Sequence, residues 1–287
     1  MRIYLLVFLI FLSSMFINNM NSIYIPQDND QYVFPGIIYI DSDGSIYPID
    51  APIDIINDTY YMLTKDIWAE EILIFRDNIV FDGNNHLLNL SEGITLYSDN
   101  FTLKNTYIHV RMSDWGINGR YGYYISLINN TILNSYGAAQ FYSSVYIVFA
   151  NNRVINTTYG FEVYDSINIS IENNTFINNL LGGILIEPYT WYYGQQYIHI
   201  LNNKLINSYI TLLTYSDFKY EFPLELIIDN NTIDGKPILF LKNIGNKTFS
   251  HEEYGEIIVY NVTNILFKDI LVEVNRSALI MISSNNI

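Results

Sequence analysis

Along most of this chain apolar residues take every second position for a short run, give way to a pair of asparagines, and then resume. The clearest copies are Ile147-Val-Phe-Ala-Asn151-Asn-Arg-Val-Ile155, Ile169-Ser-Ile-Glu-Asn173-Asn-Thr-Phe-Ile177 and Ile198-His-Ile-Leu-Asn202-Asn-Lys-Leu-Ile206. Ser126–Leu133 and Leu226–Ile233 repeat the pattern, and weaker copies reach back to Ile79–Gly83 and Phe101–Asn105 and forward to Ile265–Asp269. Aligned on the turn, the series Gly83, Asn105, Asn129, Asn151, Asn173, Asn202, Asn230 and Asp269 advances by 22, 24, 22, 22, 29, 28 and 39 residues. Period-2 alternation is a strand signal, and a fixed step of this size is one turn of a solenoid. Each period also carries a second strand opened by glycine, at Gly93, Gly137, Gly160 and Gly183. No turn can bury its apolar face alone. Stacked turns, about 4.8 Å apart, would share one aliphatic core, and the recurrent Asn would form a ladder or supply left-handed turns. Residues 67–287 therefore predict a parallel solenoid of roughly eight to ten coils.

Composition narrows the partners more than the fold. The 287 residues carry 29 acidic against 14 basic side chains, a net charge of −15, and no basic stripe that would neutralise phosphates. Nucleic acid is excluded as an expected partner. With half of the residues apolar, a large core is available. The lack of cysteine removes disulfides, thiolate metal sites and cysteine nucleophiles together, and His86, His109, His199 and His251 fall in different coils. No metal or cofactor is expected.

Residues 1–22 have the layout of a secretory signal or N-terminal anchor: Arg2, an apolar run from Ile3 to Ile17, then a polar end. A secreted or cell-surface location is the expectation. Asn-x-Ser/Thr sequons fit export, and those at Asn57, Asn89, Asn100, Asn156, Asn246 and Asn261 are candidate glycosylation sites. Residues 23–66 lack the repeat and hold Pro26, Pro35, Pro48 and Pro52, which predicts a cap over the first open edge.

The repeat motifs, with Arg76-Asp-Asn-Ile-Val-Phe-Asp-Gly83-Asn-Asn-His86 and Asn231-Thr-Ile-Asp-Gly-Lys-Pro237-Ile, resemble the right-handed parallel β-helix of the pectin-lyase-like superfamily, and within it the NosD-like secreted proteins. The resemblance implies an all-β, single-stranded right-handed parallel β-helix with an N-terminal cap, and an association with carbohydrate binding or processing. The copper label of some relatives does not transfer to a chain with no cysteine and scattered histidines.

Loops on a rigid solenoid are where function is expected. Stretched steps place them at Glu187–Tyr197, Thr214–Phe222 and Asn246–Gly255, with a fourth at Arg111–Tyr121. The first holds Tyr189, Trp191, Tyr192 and Tyr193, whose flat faces suit sugar rings and equally suit packing on the coil wall. One carboxylate pair, Glu162 and Glu187, falls at outward parity on neighbouring coils. Two residues along and one coil across put their Cα atoms roughly 8 Å apart, compatible with an inverting glycosidase. The acidic clusters and arginine arrangement of pectin-degrading relatives are missing. The expected function is a non-catalytic extracellular β-helix that binds glycans or cell-surface components. The alternatives are a polysaccharide-active enzyme, an inverting hydrolase or lyase-like, using Glu162 and Glu187, and a structural protein that self-associates through an open C-terminal coil.

Overall fold

The computed structural model describes residues 31–111, 113–187, 196–212, 224–272 and 279–282. Among them the chain winds through about nine turns of β-solenoid and forms no helix. Each full turn lays one strand on each of three faces. Face 1 is a nine-stranded sheet running from Ile53–Asn57 to Leu224–Asp229. Face 2 includes Tyr107–Val110, Thr131–Leu133, Arg153–Ile155, Thr175–Ile177 and Lys204–Ile206. Face 3 includes Trp115–Arg120, Gly137–Tyr142, Tyr159–Tyr164, Ile184–Glu187 and Ile210–Leu212. The longer strands Ile67–Ile74 and Leu87–Leu96 run across the corner from face 2 to face 3.

Parallel pairing keeps equivalent positions in register, so Val145 stands against Ile167, Phe149 against Ile171 and Val154 against Phe176. The inward half of the alternation becomes a continuous core in which Phe149 lies 4.5 Å from the Phe161 ring and 6.1 Å from that of Phe176. Burial of such a column is what makes one coil depend on the next.

The corners explain the asparagines. At each corner one residue takes a left-handed backbone, and the next points inward. At the first corner the left-handed residues are Asn105, Asn129, Asn151, Asn173, Asn202 and Asn230. The residues after them, from Asn130 through Asn152, Asn174 and Asn203 to Asn231, are buried. The second asparagine of each pair, not the first, builds the continuous ladder: Asn152 donates through its backbone N–H to Asn174 Oδ1 at 2.8 Å and through Nδ2 to Leu127 O at 2.8 Å. The first asparagine supplies the left-handed turn that costs it little, with side links such as Asn129 Nδ2 to Asn105 Oδ1 at 2.7 Å. A second corner repeats the device with left-handed Asn134, Asn156, Asn178 and Asn207 before inward Ser135, Thr157, Asn179 and Ser208. The third uses Tyr121, Ser143 and Asp165 before Gly122, Ser144 and Ser166.

Several expectations change. Arg111–Tyr121, expected as a loop, is a turn followed by the face 3 strand Trp115–Arg120. Its alternation is hidden because Gly119 stands at an inward position, where a Cβ would fall 2.6 Å from the Phe141 ring. Asn246–Gly255, also expected as a loop, pairs mostly as strands: Gly245–Ser250 with Thr263–Lys268, and Glu253–Tyr254 with Leu271–Val272. After Ile233 the chain turns back antiparallel at Lys236–Pro237 and continues in smaller coils, Lys242 pairing with Tyr260. The 39-residue step therefore contains an extra short coil, and Asp269 aligns with left-handed His251 rather than with Asn230. In the segment expected as a cap, Ile37–Ile40 joins face 3 in parallel, while Ile53–Asn57 and Tyr60–Leu63 form a hairpin that opens face 1. Residues 1–22 and Tyr189, Trp191, Tyr192 and Tyr193 lie outside the described residues.

Candidate functional site

Face 3 turns three columns of side chains outward. The middle column runs Thr95, Asn118, Gln140, Glu162, Leu185 and Thr211. Two residues further along each strand run Arg120, Tyr142, Tyr164 and Glu187. On the other flank, Trp115, Gly137 and Tyr159 succeed one another in register.

Glu162 and Glu187 keep the one-coil, two-residue offset read from the sequence, since Glu187 pairs with Tyr164. Both point away from the core, yet they are covered, at 2% and 6% exposure. Glu162 is held from two sides: Tyr164 Oη donates to Oε1 at 2.6 Å and Gln140 Nε2 donates to Oε2 at 2.6 Å. Burial raises its pKa, the bonds from Tyr164 and Gln140 oppose the rise, and the Glu187 charge adds to it. Burial and its bond to Glu162 push the Tyr164 phenol above the ordinary tyrosine range. Burial and Glu162 raise Tyr142 as well, with Arg120 opposing; its guanidinium lies 5.2 Å over the Tyr142 ring. The Tyr142 and Tyr164 rings stack at 4.6 Å, 4° from parallel.

The other flank depends on a missing side chain. At Gly137 a Cβ would fall 2.0 Å from the Trp115 indole, so only glycine lets that ring lie flat on the strand. Trp115 then stacks with Tyr159 at 6.0 Å, and Tyr136 meets both rings edge-on. In the middle column, Asn118 Oδ1 and Thr211 Oγ1 are buried polar atoms with no hydrogen-bond partner. A buried acceptor without a donor costs roughly 1–3 kcal/mol.

Glu162, with both oxygens engaged and almost no exposure, stands in the middle column with Trp115 and Tyr159 on one flank and Tyr142 and Tyr164 on the other. Sequence reasoning singled out Glu162 and Glu187 and did not single out Asn118, Gln140, Tyr164 or Trp115, which share their strip. A step of 22 residues back from Glu162 reaches Gln140, and another reaches Asn118, so register alone could have found them. Among the glycosylation candidates, Asn100, Asn156 and Asn261 donate their Nδ2 groups to Asn78, Asn134 and Asn243. Asn246 and Asn89 accept from Asn264 and His109, and Asn57 accepts from Thr59.

The family model for the right handed beta helix region matches residues 69–190. The coil is a right-handed parallel β-helix. The matched stretch holds most of face 3 of this β-helix and ends before the motif at residues 231–238 that carries part of the NosD-like resemblance. No curated protein matches the chain. Among solved structures, the catalytic domain of GH87 alpha-1,3-glucanase in complex with nigerose is similar at TM-score 0.41 and 13% identity, over 89% of this chain and 63% of that one. An alanine variant of the same domain in complex with tetrasaccharides gives TM-score 0.41 and 14% identity over the same shares. The β-helix thus spans less than two thirds of the length of those solved domains.

Proposed function

We propose that the β-helix binds glycan chains along face 3 without cleaving them, as an extracellular or cell-surface protein. The observation that carries the reading is the outward strip itself. Trp115 and Tyr159 flank one side, Tyr142 and Tyr164 the other, and the column Asn118, Gln140, Glu162 runs between them. Aromatic rings with a polar edge suit a ligand that is apolar on its ring faces and hydroxylated at its rim. The layout of residues 1–22 supports export.

The test is affinity electrophoresis and calorimetry of the full chain against a panel of polysaccharides, with a parallel assay for new reducing ends. A bound polysaccharide whose affinity falls at least tenfold in Trp115→Ala, with folding intact, is the expected result. No binding across the panel would refute the proposal. Reducing ends that appear with the unaltered protein and vanish with Glu187→Gln would replace it by an inverting hydrolase.

A further inference from the structure

Left-handed backbone in this protein falls mostly on asparagine, and among the described residues tyrosine is the bulky exception, at Tyr121, Tyr124 and Tyr146 with φ 59°, 59° and 61°. A large side chain is strained in that region and an asparagine is not. Tyr124 and Tyr146 stack on each other at 4.7 Å, which gives those two rings a packing role. Tyr121 has none of that kind: it meets no other ring among the described residues and is 70% exposed. The next two coils place Ser143 and Asp165 at the same position, so the turn itself does not require an aromatic side chain.

Tyr121 also marks a change in the third corner. Register sets Leu96 against Gly119 and Phe101 against Ile125, so the four residues 97–100 are followed one coil later by the five residues 120–124. The coil before has four, 75–78, and the coil after has five, 142–146. A residue added between two fixed register points bulges outward, so the wall of the solenoid steps out between Tyr97 and Tyr121. Tyr97, below the step, stacks on Phe75 with one face and is 62% exposed. Tyr123, on the upper side, is 45% exposed and meets no other ring among the described residues. Two opposite charges stand beside these rings. The exposed Arg120 guanidinium lies 5.2 Å over the Tyr142 ring and binds no carboxylate among the described residues. Asp99 accepts from the Tyr123 N–H with one oxygen at 2.9 Å, and its other oxygen has no partner among the described residues.

The geometry points to this step as a second contact for the glycan, one that takes a neutral sugar on Tyr97, Tyr121 and Tyr123 with its hydroxyls on Arg120 and Asp99. Exposed aromatic surface of this kind marks a place of contact, and tyrosine offers a sugar both an apolar ring face and a hydroxyl. Arg120 only donates and Asp99 only accepts. A sugar hydroxyl does both, so it satisfies the two charges together, whereas an anionic ligand gains from one and is repelled by the other. The step is continuous with the strip on face 3, since Tyr97 and Arg120 occupy the column that Tyr142 and Tyr164 carry forward. The assignment rests on the reading of the protein as a glycan binder, and adds the sugar class and a contact beyond face 3.

The experiment titrates the full chain calorimetrically with neutral gluco- and manno-oligosaccharides and with oligogalacturonate, and compares Tyr121→Asn, Arg120→Gln and Trp115→Ala with the unaltered protein. Tyr121→Asn restores the residue that the backbone prefers, and Arg120→Gln keeps a side chain over Tyr142 without its charge. The expected result is binding of a neutral oligosaccharide, weakened at least tenfold by Tyr121→Asn and at least threefold by Arg120→Gln, with a Tm for Tyr121→Asn at or above that of the unaltered protein. Unchanged affinity in either variant, a lower Tm for Tyr121→Asn, or a preference for oligogalacturonate overturns the assignment. Neutral sugar binding that depends on Trp115 and ignores both corner variants sinks the step and leaves face 3 standing, whereas absence of all sugar binding removes both. Self-association in sedimentation that Tyr121→Asn abolishes, with no sugar bound, would give the step to a second copy of the chain instead.

Discussion

Glu256 offers a quantitative test of how the smaller C-terminal coils join the main stack. The residue begins the strand Glu256–Tyr260 and is fully buried. Its Oε2 accepts from the Ile210 N–H at 3.3 Å, and its Oε1 has no partner. Among the described residues, Ile210–Leu212 pairs only with Ile184–Glu187, so this carboxyl fills a break in face 3. Burial pushes its pKa from 4.5 up to about 8, with the Ile210 bond opposing. A folded-state pKa raised above the unfolded value means that the native protein binds the extra proton. The contribution of this carboxyl to stability is therefore full below pH 4.5 and declines as pH rises toward 8. At about 1.4 kcal/mol per pH unit, the loss over that window is on the order of 5 kcal/mol. Glu256→Gln keeps an acceptor for Ile210 and cannot ionise. Chemical denaturation of both proteins at pH 5, 6.5 and 8, accompanied by hydrogen exchange at the Ile210 and Ile257 amides, reads the difference. The variant is expected to be near neutral at the lowest pH and more stable than the unaltered protein by several kcal/mol at the highest. Curves that stay parallel across the range would show that this carboxyl does not carry the proton burden that its burial implies.

Other perturbations probe the stack and the site. Asn174→Ala removes an acceptor for Asn152 N and a donor to Phe149 O and Asn203 Oδ1. It is expected to cost roughly 3 kcal/mol by denaturant midpoint, well above the cost of Asn129→Ala at the exposed position beside the ladder. Gly137→Ala forces the Trp115 indole off the face, and a red-shifted tryptophan emission with weakened polysaccharide binding is the expected outcome. Phe149→Ala opens the aromatic core between Phe161 and Phe176 and is expected to destabilise by about 3–5 kcal/mol in the same denaturation assay.

How far the fold was legible depends on the residues that make each corner. At the first corner the signal is a doubled asparagine, unmistakable at a fixed step, and it predicts the solenoid and the parallel register. The third corner is built from Gly122, Ser144 and Ser166, small residues that form no visible repeat. Tyr121, Tyr124 and Tyr146 are opaque for a different reason: tyrosine is a strand former by preference, and nothing in its identity announces a left-handed backbone. The carboxylate pair stands at the offset the sequence predicts, since register is a matter of counting. Its burial is not legible, because cover comes from neighbouring columns and not from the strand itself. The strand at Trp115–Arg120 reads as a loop in the sequence because Gly119 stands where an apolar side chain would have marked the alternation, and Gly245–Ser250 because Asn246, Lys247 and Thr248 are polar and exposed.

The constant 22-residue spacing at the centre of the stack has a consequence for how such a chain changes length. Removing residues 144–165 as a block would deliver Ser166 to the place of Ser144 and Asn174 to that of Asn152, giving Gly122 N and Asn130 N equivalent acceptors. Removing a single residue instead would turn the inward side chains of that strand toward water. Growth and shrinkage by whole windings are therefore easy for this architecture, whereas drift by one residue is not.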